Sequence, residues 1–336
     1  MSENNEILSK QGLILIGITS AGILIVGLLL LVFGYNEAFY SSNSGVRAFF
    51  EIITETGDVT FYIIIIAIFF IAYDKKFVKN LLFSLLFSAY LNYFLKDVFQ
   101  DPRPTTNIDP ESETGYIVDG YGFPSGHSQN AVGAYGYTAY HFKDRAKPLV
   151  IPVILSVYIF LIAISRIILG VHDLQDIIGG LLIGIAVLIP FVYLEPIISE
   201  KLNTFSLPVK ILIAIIVSVL LLAIGILIFP NTYHYPNRNP VPYDDAGYYA
   251  LVAGALLGFS VGYLLESEYI NYKPSELNTK QKILNLVIGL VLVFIIYFLL
   301  GILVRGNVIL RFIRYALLTF SISLLLPYIF TKINRK

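Results

Sequence analysis

The chain has 336 residues, 57% of them apolar and only 14% charged, with a mean hydropathy of +0.76. That balance excludes an ordinary water-soluble globular domain. The formal net charge of zero says little about partners when lipid is the main solvent, and the absence of cysteine excludes disulfides and thiolate metal sites.

Apolar runs that can cross a hydrocarbon core, which takes about 20 helical residues, predict ten membrane helices. They fall at roughly 12–33, 57–73, 77–98, 125–142, 148–168, 172–195, 208–229, 247–265, 283–304 and 308–330. The first run lacks a small-residue cleavage site and reads as a retained helix. Residues 36–55 are too polar to span, and Phe39, Val46, Phe49, Phe50 and Ile53 suit a helix lying in the interface. The fourth predicted helix is the least apolar and is expected to be buried among its neighbours. A composition break near 197–207 divides the chain into a first part, 1–200, with six helices, and a C-terminal extension, 201–336, with four. The fold class is therefore all-α, a polytopic membrane helical bundle. Arg305-Gly306-Asn307 is the tight turn between the last two helices.

Counting basic residues loop by loop orients the bundle. With the N-terminus inside, fifteen of the twenty-three Lys and Arg residues fall on the cytoplasmic face. The expectation is a cell-membrane protein with both termini cytoplasmic.

Three blocks in the first part carry chemistry: Lys96-x6-Arg103-Pro104, then Pro124-Ser125-Gly126-His127, then Ser165-Arg166-x5-His172-x3-Asp176. All three fall on the outer face of the predicted topology, at the ends of apolar segments, where a charge is costly unless it is used. Arg binds two phosphate oxygens with its planar fork and Lys supplies a compact charge, so Lys96, Arg103 and Arg166 suit a phosphoryl group. Ser125-Gly126 opens a helix, where free N–H groups attract an anion. His172 and Asp176 are four apart and share a helix face; the carboxylate can fix one imidazole nitrogen and leave the other free to attack phosphorus. His127 has no such carboxylate and suits proton donation to a leaving group. On the residues alone the two histidine roles are interchangeable, with His172 favoured as nucleophile. His127, His141, His172 and His234 are the only nitrogen-ligand candidates, with no His-x-x-x-His or Glu-x-x-His pair among them, so neither a metal nor another cofactor is expected.

In order and spacing these blocks resemble the signature of the type 2 phosphatidic acid phosphatase (PAP2) superfamily, with every signature position filled. The resemblance covers the first six helices. It implies a metal-independent lipid phosphatase working through a phosphohistidine, with His172 as nucleophile, Asp176 as its orienter and His127 as general acid. It also implies that Lys96, Arg103, Ser125, Gly126 and Arg166 bind phosphate. The implied partners are a membrane lipid phosphate and the bilayer, with no nucleic acid; the oligomeric state is open. Candidate substrates are polyprenyl diphosphate, slightly favoured, phosphatidylglycerol phosphate and phosphatidate. The alternatives are a lipid-linked phosphotransferase, or a phosphatase core fused to a lipid-binding or transport module.

Other features read more blandly. Asp173 falls outside the site, and Asp109, Glu111, Glu113 and Asp119 form a solvated acidic loop. The Pro- and Tyr-rich loop 231–246 reads as a stiff connector, with a lid as the sharper alternative. Arg305, Arg311 and Arg314 run against the inside-positive bias and read as interfacial anchors, with an anionic headgroup or diphosphate site as their sharper alternative.

Overall fold

The computed structural model describes Ile18, Ile25 and residues 40–104, 120–144, 149–228, 246–303 and 307–334. Apart from Ile18, Ile25 and Ala246, the predicted first helix, the acidic loop and the loop 231–246 lie outside the described residues, as does Arg305. The helices are α1 (Ser44–Glu55), α2 (Val59–Ala72), α3 (Lys75–Phe99), α4 (Gly126–Ala131), α5 (Tyr137–His141), α6 (Val150–Ile168) and α7 (Leu174–Asn203). They continue with α8 (Leu207–Ile228), α9 (Ala246–Tyr269), α10 (Thr279–Leu303), α11 (Val308–Phe320) and α12 (Leu326–Asn334). π-helical segments join α4 to α5 (Val132–Gly136) and α11 to α12 (Ser321–Leu325).

Among the described residues, seven helices are long and apolar enough to cross a membrane, or eight if α1 and α2 count as one span. The chain is an all-helical polytopic membrane protein. Two predicted spans come out shorter than expected. The predicted helix 57–73 is realised as α2, 14 residues long and about 21 Å at 1.5 Å per residue, which falls short of a bilayer core. Asp58 caps it, its carboxylate accepting the Thr60 N–H at 2.8 Å, and the Thr56–Asp58 break separates it from α1. Within the predicted interfacial segment 36–55, residues 44–55 are thus a helix, capped by Asn43, that forms a candidate span only together with α2. The predicted fourth span, α4 to α5, is also short. In the other direction, α7 runs on to Asn203 through Pro190 and Pro196, since membrane helices tolerate internal proline.

The chain divides into two compact units. Unit 1 comprises residues 1–57 and 95–198. Its core is Val132, Ala163, Ile177 and Leu181, with Ile159, Ile167, Ile185 and Leu188 packed around them. The predicted burial of the polar fourth helix is observed, with Ser128, Gln129, Ala131, Val132 and Tyr137 all inside. Gly180 on α7 permits this: a Cβ there would lie 2.6 Å from the Ser125 carbonyl oxygen, so the backbones of α4 and α7 meet directly.

Unit 2 comprises residues 58–94 and 199–336. Gly254, Gly258 and Gly262, one per turn on α9, face the backbone of Phe312, the backbone of Ala316 and the Ser323 side chain, where any Cβ would clash. This is the close small-residue packing that holds membrane helices together without a hydrophobic driving force. At the other end of α9, Glu266 is fully buried and accepts two bonds from Lys75 Nζ, at 2.6 and 2.8 Å, and one from the Tyr272 N–H at 2.7 Å. The Tyr272 hydroxyl donates to the Ile71 carbonyl at 2.7 Å and accepts from Asn285 at 3.1 Å.

Candidate active site

The geometry around His172 begins with the way α6 ends. Gly170 adopts a left-handed conformation, φ 73°, which reverses the chain as glycine does beyond helix C-termini. The N–H groups of Val171 and His172 then both donate to the Arg166 carbonyl, at 3.1 and 3.2 Å. The five-residue spacer between Arg166 and His172 is therefore a helix end plus one tight turn. Asp173 follows as the cap of α7, its carboxylate accepting the Asp176 N–H at 2.9 Å while its own N–H points at Asp176 Oδ2, 3.3 Å away. Asp173, set aside on spacing, thus holds Asp176 in place.

His172 Nδ1 lies 2.7 Å from Asp176 Oδ2, and its Nε2 lies 3.1 Å from Arg103 Nη1. A guanidinium can only donate, so Nε2 is the acceptor and Nδ1 carries the proton that Asp176 accepts. One tautomer follows from these two contacts. His172 is 2% exposed and Asp176 is fully buried. Burial, followed by the charges of Arg103, Lys96 and Arg166, holds the His172 pKa well below the usual imidazole value, with His127 adding to the effect. Accepting from Arg103, Nε2 carries a lone pair, and the ring in this arrangement is neutral.

The remaining predicted residues are tied to this centre through backbone. Arg103 is fixed by its Nε on the Gly120 carbonyl (2.7 Å) and its Nη1 on the Val171 carbonyl (2.8 Å). Lys96, at the end of α3, donates to the carbonyls of Tyr121 and Gly122. Gly122 is needed there: a Cβ would lie 3.0 Å from Asp176 Oδ2 and 3.1 Å from the Pro102 carbonyl. The Ser125 N–H donates to the Asp176 carbonyl at 2.9 Å, and its hydroxyl accepts from Ser128 at 3.1 Å. Gly126 is the first residue of α4. His127 packs against Gly57, where a Cβ would come within 2.9 Å of the imidazole. All eight predicted residues belong to unit 1, and Lys96, Arg103, His127 and Arg166 are near enough for their charges to act on His172.

Four further residues support the site and were not found from the sequence. Arg166 is fully buried and donates to the Thr54 hydroxyl at 2.6 Å. Thr56, two residues on, accepts at its carbonyl from Tyr135 and at its hydroxyl from Tyr158, each at 2.7 Å. Thr and Tyr are common in membrane helices and carry no spacing signature. The only local signal is the Thr54-Glu55-Thr56-Gly57 break ahead of the Asp58 cap. Among the described residues, no group of three or more His, Cys, Asp or Glu side chains could hold a metal ion.

A buried cluster of cations around a carboxylate-held imidazole, carried on a polytopic helical frame, defines a membrane protein built to handle an anionic group. The chain belongs to the PAP2 superfamily. Residues 77–199 match the family model described as PAP2 superfamily, and residues 250–336 match the one described as PAP2 superfamily phosphatase, transmembrane extension. The helices that the six-helix resemblance did not cover thus have a family counterpart from residue 250 onward. Lipid phosphate phosphatase delta of Arabidopsis thaliana is 27% identical over 48% of this chain and 41% of its own length. Sphingosine-1-phosphate phosphatase 2 of Mus musculus is 27% identical over 62% of this chain and 57% of its own. Phosphatidylglycerophosphatase B of Bacillus subtilis (strain 168) is 34% identical over 33% of this chain and 55% of its own. The chain spans about half the length of these relatives.

Proposed function

We propose that the protein is a metal-independent membrane phosphatase that removes a terminal phosphate from a lipid monoester or diphosphate. The observation that carries this reading is the orientation of His172. Its protonated Nδ1 is held by Asp176 and its basic Nε2 faces Arg103, so the reactive nitrogen and a phosphate-binding fork share one spot. Nε2 attacks phosphorus while Arg103, Arg166 and Lys96 neutralise the equatorial oxygens, with Ser125 and Gly126 adding donors at the helix start. The bond from phosphorus to the leaving oxygen breaks, and His127 gives that oxygen its proton. Water then attacks the phosphohistidine, losing a proton to His127. The P–N bond breaks, releasing phosphate and restoring neutral His172.

The excess of Lys and Arg on one set of loops supports an orientation with both termini cytoplasmic and the site facing outward. Residues 1–200 form the phosphatase core and 201–336 a membrane extension. The names of the relatives span glycerolipid and sphingoid phosphates, and a prenyl diphosphate would present the same terminal group.

The test is phosphate release by the purified chain in detergent with EDTA present. The substrate panel is prenyl diphosphate, phosphatidylglycerol phosphate, phosphatidate, sphingosine 1-phosphate and glucose 6-phosphate. Hydrolysis of at least one lipid at a rate unchanged by EDTA is expected, with glucose 6-phosphate poorly used. A strict requirement for Mg²⁺ would contradict the mechanism.

A further inference from the structure

We infer that Arg311 and Arg314 form a binding site for the phosphate headgroup of an anionic membrane lipid, built wholly from unit 2. Four observations carry it. The two arginines are three apart on α11, so they share a face, where like charges repel. Among the described residues neither forms an ion pair with a carboxylate. The guanidinium of Arg311 lies over the Tyr248 ring (5.5 Å), and that of Arg314 over the rings of Tyr297 (5.1 Å) and Tyr315 (5.4 Å). Tyr93 stacks on Tyr248 at 4.3 Å and extends the aromatic floor. Room for the guanidiniums comes from two glycines. A Cβ on Gly247 would strike Arg311 Nη1, and one on Gly301 would lie 2.9 Å from Arg314 Nη2.

These contacts leave donor capacity unused. A ring face attracts the cation but offers no in-plane acceptor, so the N–H fork remains available for a planar anion. Arg314 makes one long bond to the Tyr297 carbonyl, 3.5 Å, and its Nε is buried with no acceptor. An arginine that merely snorkels keeps its donors in water or among headgroups; the Arg314 Nε does not, although the side chain is only partly buried. A buried donor without an acceptor is costly, and a phosphate diester or monoester between the two side chains would satisfy the Arg314 Nε and neutralise both charges.

The surroundings favour a lipid over a soluble anion. Arg311 and Arg314 sit about 5 and 9 Å along the helix axis from the start of α11, which is headgroup depth for a span beginning at Val308. Ile309, Ile313, Leu317, Phe298 and Ile302 are exposed on α11 and α10 and offer apolar surface for the acyl chains.

The test is native mass spectrometry of the full-length, delipidated protein in detergent with equal amounts of phosphatidylglycerol and phosphatidylcholine. Phosphatidylglycerol is a phosphodiester with no terminal phosphate, so the result does not depend on the phosphatase reading. Wild-type protein is expected to retain phosphatidylglycerol preferentially, and R311Q/R314Q to lose that preference by about tenfold with an unchanged unfolding midpoint, whereas R103Q keeps it. Equal retention by R311Q/R314Q overturns the site. Inorganic phosphate competing as well as the lipid overturns the lipid assignment. If the double glutamine variant does not fold, R311K/R314K keeps both charges but loses the forks. The retained charges alone should leave a weaker preference for phosphatidylglycerol than the wild type's, and a preference at the wild-type level would count against the site.

Discussion

Lys75 opens α3 and Arg103 lies in the loop beyond its end, and each meets a partner remote in sequence, but the two are held differently. In unit 2, Lys75 donates to both oxygens of Glu266, and the Tyr272 N–H adds a third bond. That buried charge is balanced one to one, as stable interiors require. In unit 1, Lys96, Arg103 and Arg166 are buried with Asp176, and Asp176 Oδ2 lies 2.7 Å from the His172 ring. The cations are held largely by carbonyl and hydroxyl oxygens, which orient without neutralising. A balanced pair is a structural lock, whereas three cations oriented by carbonyl and hydroxyl oxygens around an imidazole are a place for an anion. The same comparison marks Arg311 and Arg314 as the exception within unit 2.

The contrast is broken most directly at His172. His172→Ala removes the covalent step and is expected to lower turnover by more than about 10³-fold, with the unfolding midpoint kept. The check is phosphate release from the best lipid of the panel, together with acid-labile ³²P on wild-type protein and none on the variant. Near wild-type turnover would sink the nucleophile assignment.

Lys75→Ala sharpens the comparison from the other side. It leaves Glu266 buried without its cation, and removing one partner of a buried pair typically costs about 3–5 kcal/mol; Lys75 is 15% exposed, which favours the lower end. The expected outcome is a lowered unfolding midpoint with little change in turnover per folded molecule. Replacing both partners with apolar residues (K75M/E266L) should recover much of the stability. A variant of full stability but lost activity would move this pair from scaffold to chemistry.

The sequence made the site more legible than its scaffold. Lys96, Arg103, Ser125, Gly126, His127, Arg166, His172 and Asp176 were named from three short blocks because the chemistry restricts both residue type and spacing. Helix positions were legible too, since twenty apolar residues in a row have few other uses. Less legible was where a helix bends or overruns: α2 stops at a Thr-Gly break that hydropathy does not weigh, and α7 runs through two prolines. Asp173 was dismissed because spacing alone cannot separate a cap from a bystander. The Gly254, Gly258 and Gly262 stripe was present in the sequence, but its meaning depends on which helix it faces. Thr54 was invisible, because its role exists only through Arg166, more than a hundred residues away.

Thr54 gives the mildest and most specific prediction. Its hydroxyl accepts from Arg166 inside a fully buried site, and a hydrogen bond to a charged group is worth about 1.5–3 kcal/mol. Thr54→Val keeps the shape and removes the acceptor, so kcat/KM should fall about tenfold or somewhat more. If Thr54 positions the guanidinium for the transition state, the loss lies in kcat and Thr54→Ser restores it. If it only fills space, Val is silent and Ser, which leaves a small cavity, is the worse of the two. The ranking of Ser against Val therefore separates the two roles without any assumption about the lipid, and a rise in KM alone would assign Arg166 to ground-state binding.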